Sequence, residues 1–170
     1  MGLHSERRSA GHRGFTLIEI LIVVVILGIL AAVVIVSVSS AFKETTEAVL
    51  RDELRFMRTQ IVVYQGSHAN SPGIDPVSGN ASGNIFVQQM TQFTDYVGNC
   101  AASRDDTFRF GQYLTQMPVN PANNKAGVKV LGPGATIAPN DNEDFGWIYK
   151  PDTLQLAPNS TEYGPSGKNW

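Results

Sequence analysis

Hydrophobic positions fall along this chain in three regimes, each predicting a different kind of element. Residues 20–42 form a block of 23 positions without a formal charge. As a helix rising about 1.5 Å per residue, such a block spans roughly 34 Å, enough for a bilayer core. In the second regime Phe42, Thr46, Val49, Leu50, Leu54, Met57, Ile61 and Tyr64 recur mostly at steps of three or four, while Lys43, Glu44, Glu47, Arg51, Asp52, Arg55 and Arg58 fill other positions. That is one apolar face of an amphipathic helix, with Glu47 and Arg51 spaced for i,i+4 support. No proline interrupts residues 15–66, so the two regimes predict one helix of about 50 residues, roughly 75 Å long. The second half needs a cover on one face, which the rest of the chain must supply.

The third regime is one of short elements. Residues 67–84 are dense in Gly, Pro, Ser and Asn and read as a connecting segment with several turns. Ile85, Phe86, Gln89, Met90, Phe93 and Val97 keep helical spacing and predict a short amphipathic helix over 85–97. Residues 126–132, 145–150 and 153–158 have β-rich stretches, and Lys150-Pro151-Asp152 supplies turn chemistry, so 145–157 reads as a hairpin closing a small antiparallel sheet. The expected fold class is α+β, a long helix packed against that sheet. Three parts are expected: a leader (1–14), a membrane half-helix (15–42) and an exported globular domain (43–170).

Charge gives the chain a direction. The first fourteen residues carry Arg7, Arg8 and Arg13 against Glu6 and have no apolar face that could fold. Under the positive-inside rule this end stays in the cytoplasm and the bulk of the chain is exported. A secretory signal has an apolar region of only about 7–15 residues with its cleavage site after it, a poor match here. Without the leader the chain holds 10 basic against 14 acidic residues, a balance that gives no reason to expect a nucleic-acid partner. Cys100 is the only cysteine, so an intramolecular disulfide and a cysteine-rich metal site are excluded, and it reads as a small, partly buried thiol.

Catalytic chemistry is poorly represented. His4 and His12 belong to the leader, which leaves His68 in a Gly/Pro-rich segment with no nucleophile in a recognisable motif. Asp105-Asp106, beside Arg104 and Arg109, reads as a solvated turn, and no Gly-rich phosphate loop is present. The expectation is a protein that is not an enzyme.

One carboxylate is out of place. Glu19 sits at the head of the apolar block, where a charge costs at least about 2.5 kcal/mol in a membrane unless it is paired or functional. It closes Gly14-Phe15-Thr16-Leu17-Ile18-Glu19, a stretch that follows the basic leader and precedes an unbroken apolar helix containing Gly28-Ile29-Leu30-Ala31-Ala32. This arrangement closely resembles the prepilin-type processing motif of type IV pilins and type II secretion pseudopilins. The resemblance implies cleavage by a membrane prepilin peptidase between Gly14 and Phe15 and N-methylation of the new Phe15 amine. It implies a single-pass protein of the bacterial inner membrane with its C-terminal domain in the periplasm, polymerising with copies of itself, minor pseudopilins and an inner-membrane assembly platform. Glu19 then acts as an assembly register key, attracting the Phe15 amine of a neighbouring subunit at low dielectric; a carboxylate snorkelling to the membrane edge is the plainer reading. Many members carry a proline where this chain has Val36.

Residues 111–124 followed by 146–159 are similar, more loosely, to the C-terminal pattern of the major pseudopilin of type II secretion, in which a short helix leads to a Pro-rich turn and a Gly-Trp-x-Tyr hairpin. The lack of a cysteine pair points the same way, because many type IV pilins close a loop there with a disulfide. In that pseudopilin family a loop before the hairpin binds calcium, and Asp141, Asn142, Glu143 and Asp144 offer hard oxygen ligands at that place. A solvated turn is the alternative for these four. The function implied is a structural fibre subunit supporting type II protein secretion, the alternative being a type IV pilus subunit used in adhesion, motility or DNA uptake.

Overall fold

The structure is a computed structural model that describes residues 14–164, so the leader's Glu6, Arg7, Arg8 and Arg13 lie outside the described residues. Helix α1 runs Leu17–Ser67, 51 residues, as the absence of proline predicts. The chain divides into two compact units between Phe42 and Lys43, and α1 contributes to both.

In the first unit the described side chains of α1 are exposed. The window Leu17–Val34 is long and apolar enough to cross a membrane, and none of it is buried. Leaving the fourteen Leu, Ile and Val side chains of this window in water, at about 1.5–3 kcal/mol for a full side chain, would cost on the order of 20 kcal/mol. That exceeds the whole stability of a typical domain, about 5–15 kcal/mol, so lipid or other copies must cover this segment.

The second unit is α+β. On α1, Leu50, Leu54, Met57, Ile61 and Tyr64 are buried, spaced four, three, four and three residues apart. Phe42 and Val49, expected on that face, stay 69% and 43% exposed, Phe42 because it ends the first unit and Val49 because it points to the flank shared with Glu53 and Phe56, away from the layers that cover the stripe. Those layers bring Phe86 and Met90 from α2 (Gly83–Thr91), Leu114 and Met117 from a loop, and Trp147, Tyr149 and Leu156 from the sheet. Ser82 caps α2, its hydroxyl accepting from the Ile85 amide. Gly83 opens this helix against the sheet so closely that a Cβ there would lie 1.9 Å from the Val128 carbonyl oxygen.

The helix expected over 85–97 stops at Thr91. Residues beyond it are taken by two competing interactions: Thr94 exchanges backbone hydrogen bonds with Phe110, and the Asp95 carboxylate accepts from the amides of Val97, Gly98 and Asn99. Side-chain capping of this kind favours a turn over helix. The strands β1 (Phe93–Thr94) and β2 (Cys100–Ala101) then pair antiparallel across it.

The main sheet has the order β3-β4-β5, with β3 Val128–Val130, β4 Trp147–Lys150 and β5 Gln155–Pro158. β4 and β5 form the expected antiparallel hairpin, Ile148 opposite Ala157 and Tyr149 opposite Leu156. β3 lies parallel to β4, Val128 opposite Trp147, after a crossover that contains no helix. The short helix implied for 111–124 does not form: Leu114 and Met117 reach the core from irregular chain, and the Trp147 indole donates to the Pro118 carbonyl at 2.9 Å.

Candidate processing and assembly site

The site is built at the first turn of α1. Gly14, Phe15 and Thr16 precede the first helical residue, Leu17, so the Gly14–Phe15 peptide bond lies outside the helical hydrogen-bond ladder. Phe15 is 81% exposed. A Cβ placed on Gly14 would meet nothing within 4 Å, so nothing in the fold of this chain demands glycine there. Any requirement for a small residue must come from whatever grips the chain beside that bond.

Thr16 and Glu19 answer each other. The Thr16 hydroxyl accepts from the Glu19 amide at 3.2 Å, and one oxygen of the Glu19 carboxylate accepts from both the Thr16 amide and the Thr16 hydroxyl at 3.1 Å. This is a capping box, in which the N-cap threonine and the acidic residue three positions on satisfy two amides that the helix itself cannot. The carboxylate also lies at the positive end of the helix dipole. Sequence reasoning placed Glu19 in the site and missed this role, although the Thr-x-x-Glu spacing carried the signal. The arrangement can do two things chemically: present an exposed, non-helical peptide bond, and hold a carboxylate four residues from the amine that cleavage would release.

The acidic loop is arranged differently. Asp141 accepts from the amide and hydroxyl of Thr161, and these bonds hold its carboxyl below the usual range. Glu143 pairs with the Lys129 ammonium at 2.7 Å, its backbone carbonyl accepting from Lys125, and Asp144 lies 3.8 Å from the Lys125 ammonium. Asn142 is exposed, its amide donating to the Asn140 side chain. Among the described residues no three His, Cys, Asp or Glu side chains converge on a point that could hold a metal ion. As placed, these four residues do not converge on a cation: the carboxylates of Asp141 and Glu143 are engaged by Thr161 and Lys129, that of Asp144 reaches Lys125 only at 3.8 Å, and Asn142 carries no charge.

What the spacing did not reveal is a buried amide network beside this loop. Asn120 donates to the Gly146 carbonyl at 2.7 Å, Asn123 to those of Phe145 and Asn159, and the fully buried Asn159 to those of Asn140 and Phe145. These bonds fasten the crossover onto the hairpin, and buried amides are retained only when satisfied in this way. Cys100 is half-buried, and desolvation, with Asp95 nearby, pushes its thiol up to about 11, which leaves it protonated and a poor nucleophile at neutral pH. His68 is the first residue past α1, on the connecting segment as expected, and is buried there.

Compared with known proteins, the chain matches no curated protein and no solved structure. Residues 9–35 match the family model described as the prokaryotic N-terminal methylation motif, which spans Gly14, Phe15 and Glu19 and, with the apolar helix behind it, indicates a membrane-anchored precursor of the type IV pilin-like or pseudopilin kind.

Proposed function

We propose that the chain is the precursor of a structural fibre subunit, cut between Gly14 and Phe15 by a prepilin peptidase, N-methylated at Phe15, and polymerised from the inner membrane into the periplasm to support type II protein secretion. The observation that carries this reading is the position of an accessible Gly14–Phe15 bond immediately before the capped first turn of an apolar segment, Leu17–Val34, none of which is buried. The Gly146-Trp147-Ile148-Tyr149 hairpin supports the secretion branch, by its similarity to the C-terminal pattern of the major pseudopilin.

Glu19 has two roles in sequence. In the isolated chain its carboxylate is held by its own helix cap. In a fibre it turns to the Phe15 amine of a neighbour displaced along the axis, where both charges leave lipid for a paired environment and low dielectric strengthens the attraction. Minor pseudopilins and an inner-membrane platform are the partners such a subunit requires.

Reading the N-terminus and mass of the chain purified from membranes tests the processing step, and a start at methylated Phe15 is expected. An intact leader on a membrane-resident chain overturns the proposal. Deleting the gene separates the branches: loss of an exported enzyme from the medium supports secretion, whereas loss of adhesion, motility or DNA uptake with secretion intact assigns the chain to a pilus.

A further inference from the structure

Two grooves on the second unit flank the buried stripe of α1 on opposite sides. The first, about 490 Å³, is lined by Arg51, Arg55, Arg58, Val62 and Val63 among others. The second, about 480 Å³, is lined by Val49, Asp52, Glu53 and Phe56 together with Thr115, Gln116 and Pro118. At 3.6 residues per turn Arg51, Arg55, Arg58 and Val62 fall to one side of Leu50, Leu54, Met57 and Ile61, and Val49, Glu53 and Phe56 to the other. One flank is cationic with an apolar floor and no carboxylate in its lining; the other carries two carboxylates, no cation and a half-exposed phenyl ring, Phe56 at 49%.

Some of this charge is already used. Arg51 pairs with Glu47 at 3.3 Å, and Arg58 donates to the Leu156 carbonyl at 2.8 Å. Arg55 and Glu53 enter none of the ion pairs among the described residues. Nor can they meet within one chain, since residues two apart on a helix do not face each other.

We infer that these flanks are the two halves of one contact between copies of this chain, the Glu53/Phe56 flank of one copy seating in the Arg51/Arg55/Arg58 groove of the next. Phe56 covers Val62 and Val63, and Glu53 meets Arg55. Because the two halves are different surfaces, the contact is heterologous and repeats without closing unless the rotation happens to form a ring, which gives an open filament. The inference rests on the proposed function and deepens it: the apolar half of α1 supplies adhesion in the membrane, while this contact sets the spacing of the exported domains.

The test uses the full chain in its own cells, with sheared fibres quantified and the N-terminus read for each variant. Glu53→Arg and Arg55→Glu are each expected to lower fibre yield at least tenfold while leaving cleavage and chain abundance unchanged. The double variant, with the charges exchanged, is expected to recover most of the yield, and that rescue must come from another copy. Singles that assemble like the parent, or a double variant that stays as poor as the singles, overturn the inference. A parent chain that keeps residues 1–14 and makes no fibre overturns the proposed function, and this contact falls with it.

Discussion

Tyr64 and His68 lie face to face, ring centroids 3.7 Å apart and planes within 4°. Their positions, i and i+4 at the end of α1, set this stack, and the ring is tied on both nitrogens. Nδ1 faces the Tyr64 carbonyl at 2.9 Å and must carry the proton, so Nε2 accepts from the Thr94 hydroxyl, also at 2.9 Å. The histidine thereby joins the end of α1 to β1 and packs near Phe110 and Tyr113.

Desolvation lowers the His68 pKa from its ordinary 6.5, outweighing the hydrogen bond to Tyr64 and the charge of Asp95. The neutral ring is favoured by folding, so its contribution is fully present above about pH 6.5 and declines as pH falls through the lower folded value. Asp75, Asp95 and Asp141 are also lowered, from 3.8, and their contributions fade only below that pH. The unfolding midpoint should therefore fall between pH 7 and pH 5, and His68→Gln should flatten that segment while leaving the acid limb below pH 4. An unchanged slope in the variant counts against this account.

Glu19 can be divided into cap and charge by two substitutions. Glu19→Gln keeps a capping partner for Thr16, since glutamine serves in the same box, but removes the charge; Glu19→Ala removes both. Losing the cap costs about 0.5–2 kcal/mol at one helix end, whereas leaving a buried amine without its ion-pair partner costs about 3–5 kcal/mol. Both variants should be cleaved and membrane-resident, and both should lose fibres by two orders of magnitude or more. Normal assembly of Glu19→Gln would show that capping, not charge, is what the fibre needs.

Gly14 separates folding from recognition. Because a side chain there meets nothing in this chain, Gly14→Leu should insert and accumulate like the parent. Cleavage should fail, leaving a precursor heavier by the leader's fourteen residues on a gel. Efficient processing of this variant would place the determinant elsewhere.

Asp141 offers a check on the acidic loop. Its bonds to Thr161 make it a brace, so Asp141→Ala should lower the unfolding midpoint of the detergent-solubilised chain by about 2 °C. The drop should be the same in millimolar calcium and in chelator. A midpoint that rises with calcium in the parent and not in the variant would restore the metal reading.

Period and composition were enough for everything local or repetitive. The apolar block, the continuous α1, the stripe from Leu50 to Tyr64 and the Trp147–Leu156 hairpin each follow from spacing, because a helix or a hairpin is set by residues near in sequence. The processing signature is likewise a string of adjacent residues, legible without any fold, and even the unread capping box was written as Thr-x-x-Glu. Only tertiary structure decided where α2 stops, since Thr94 leaves helix to bond Phe110, sixteen residues on. It also decided that His68 is buried, that three asparagines hold the crossover, and that Asp141, Glu143 and Asp144 face Thr161, Lys129 and Lys125 and do not converge on one another. These are pairings across many residues, and a side chain's choice between water, a cation and a distant amide depends on what the fold brings within hydrogen-bond reach, which no local pattern encodes.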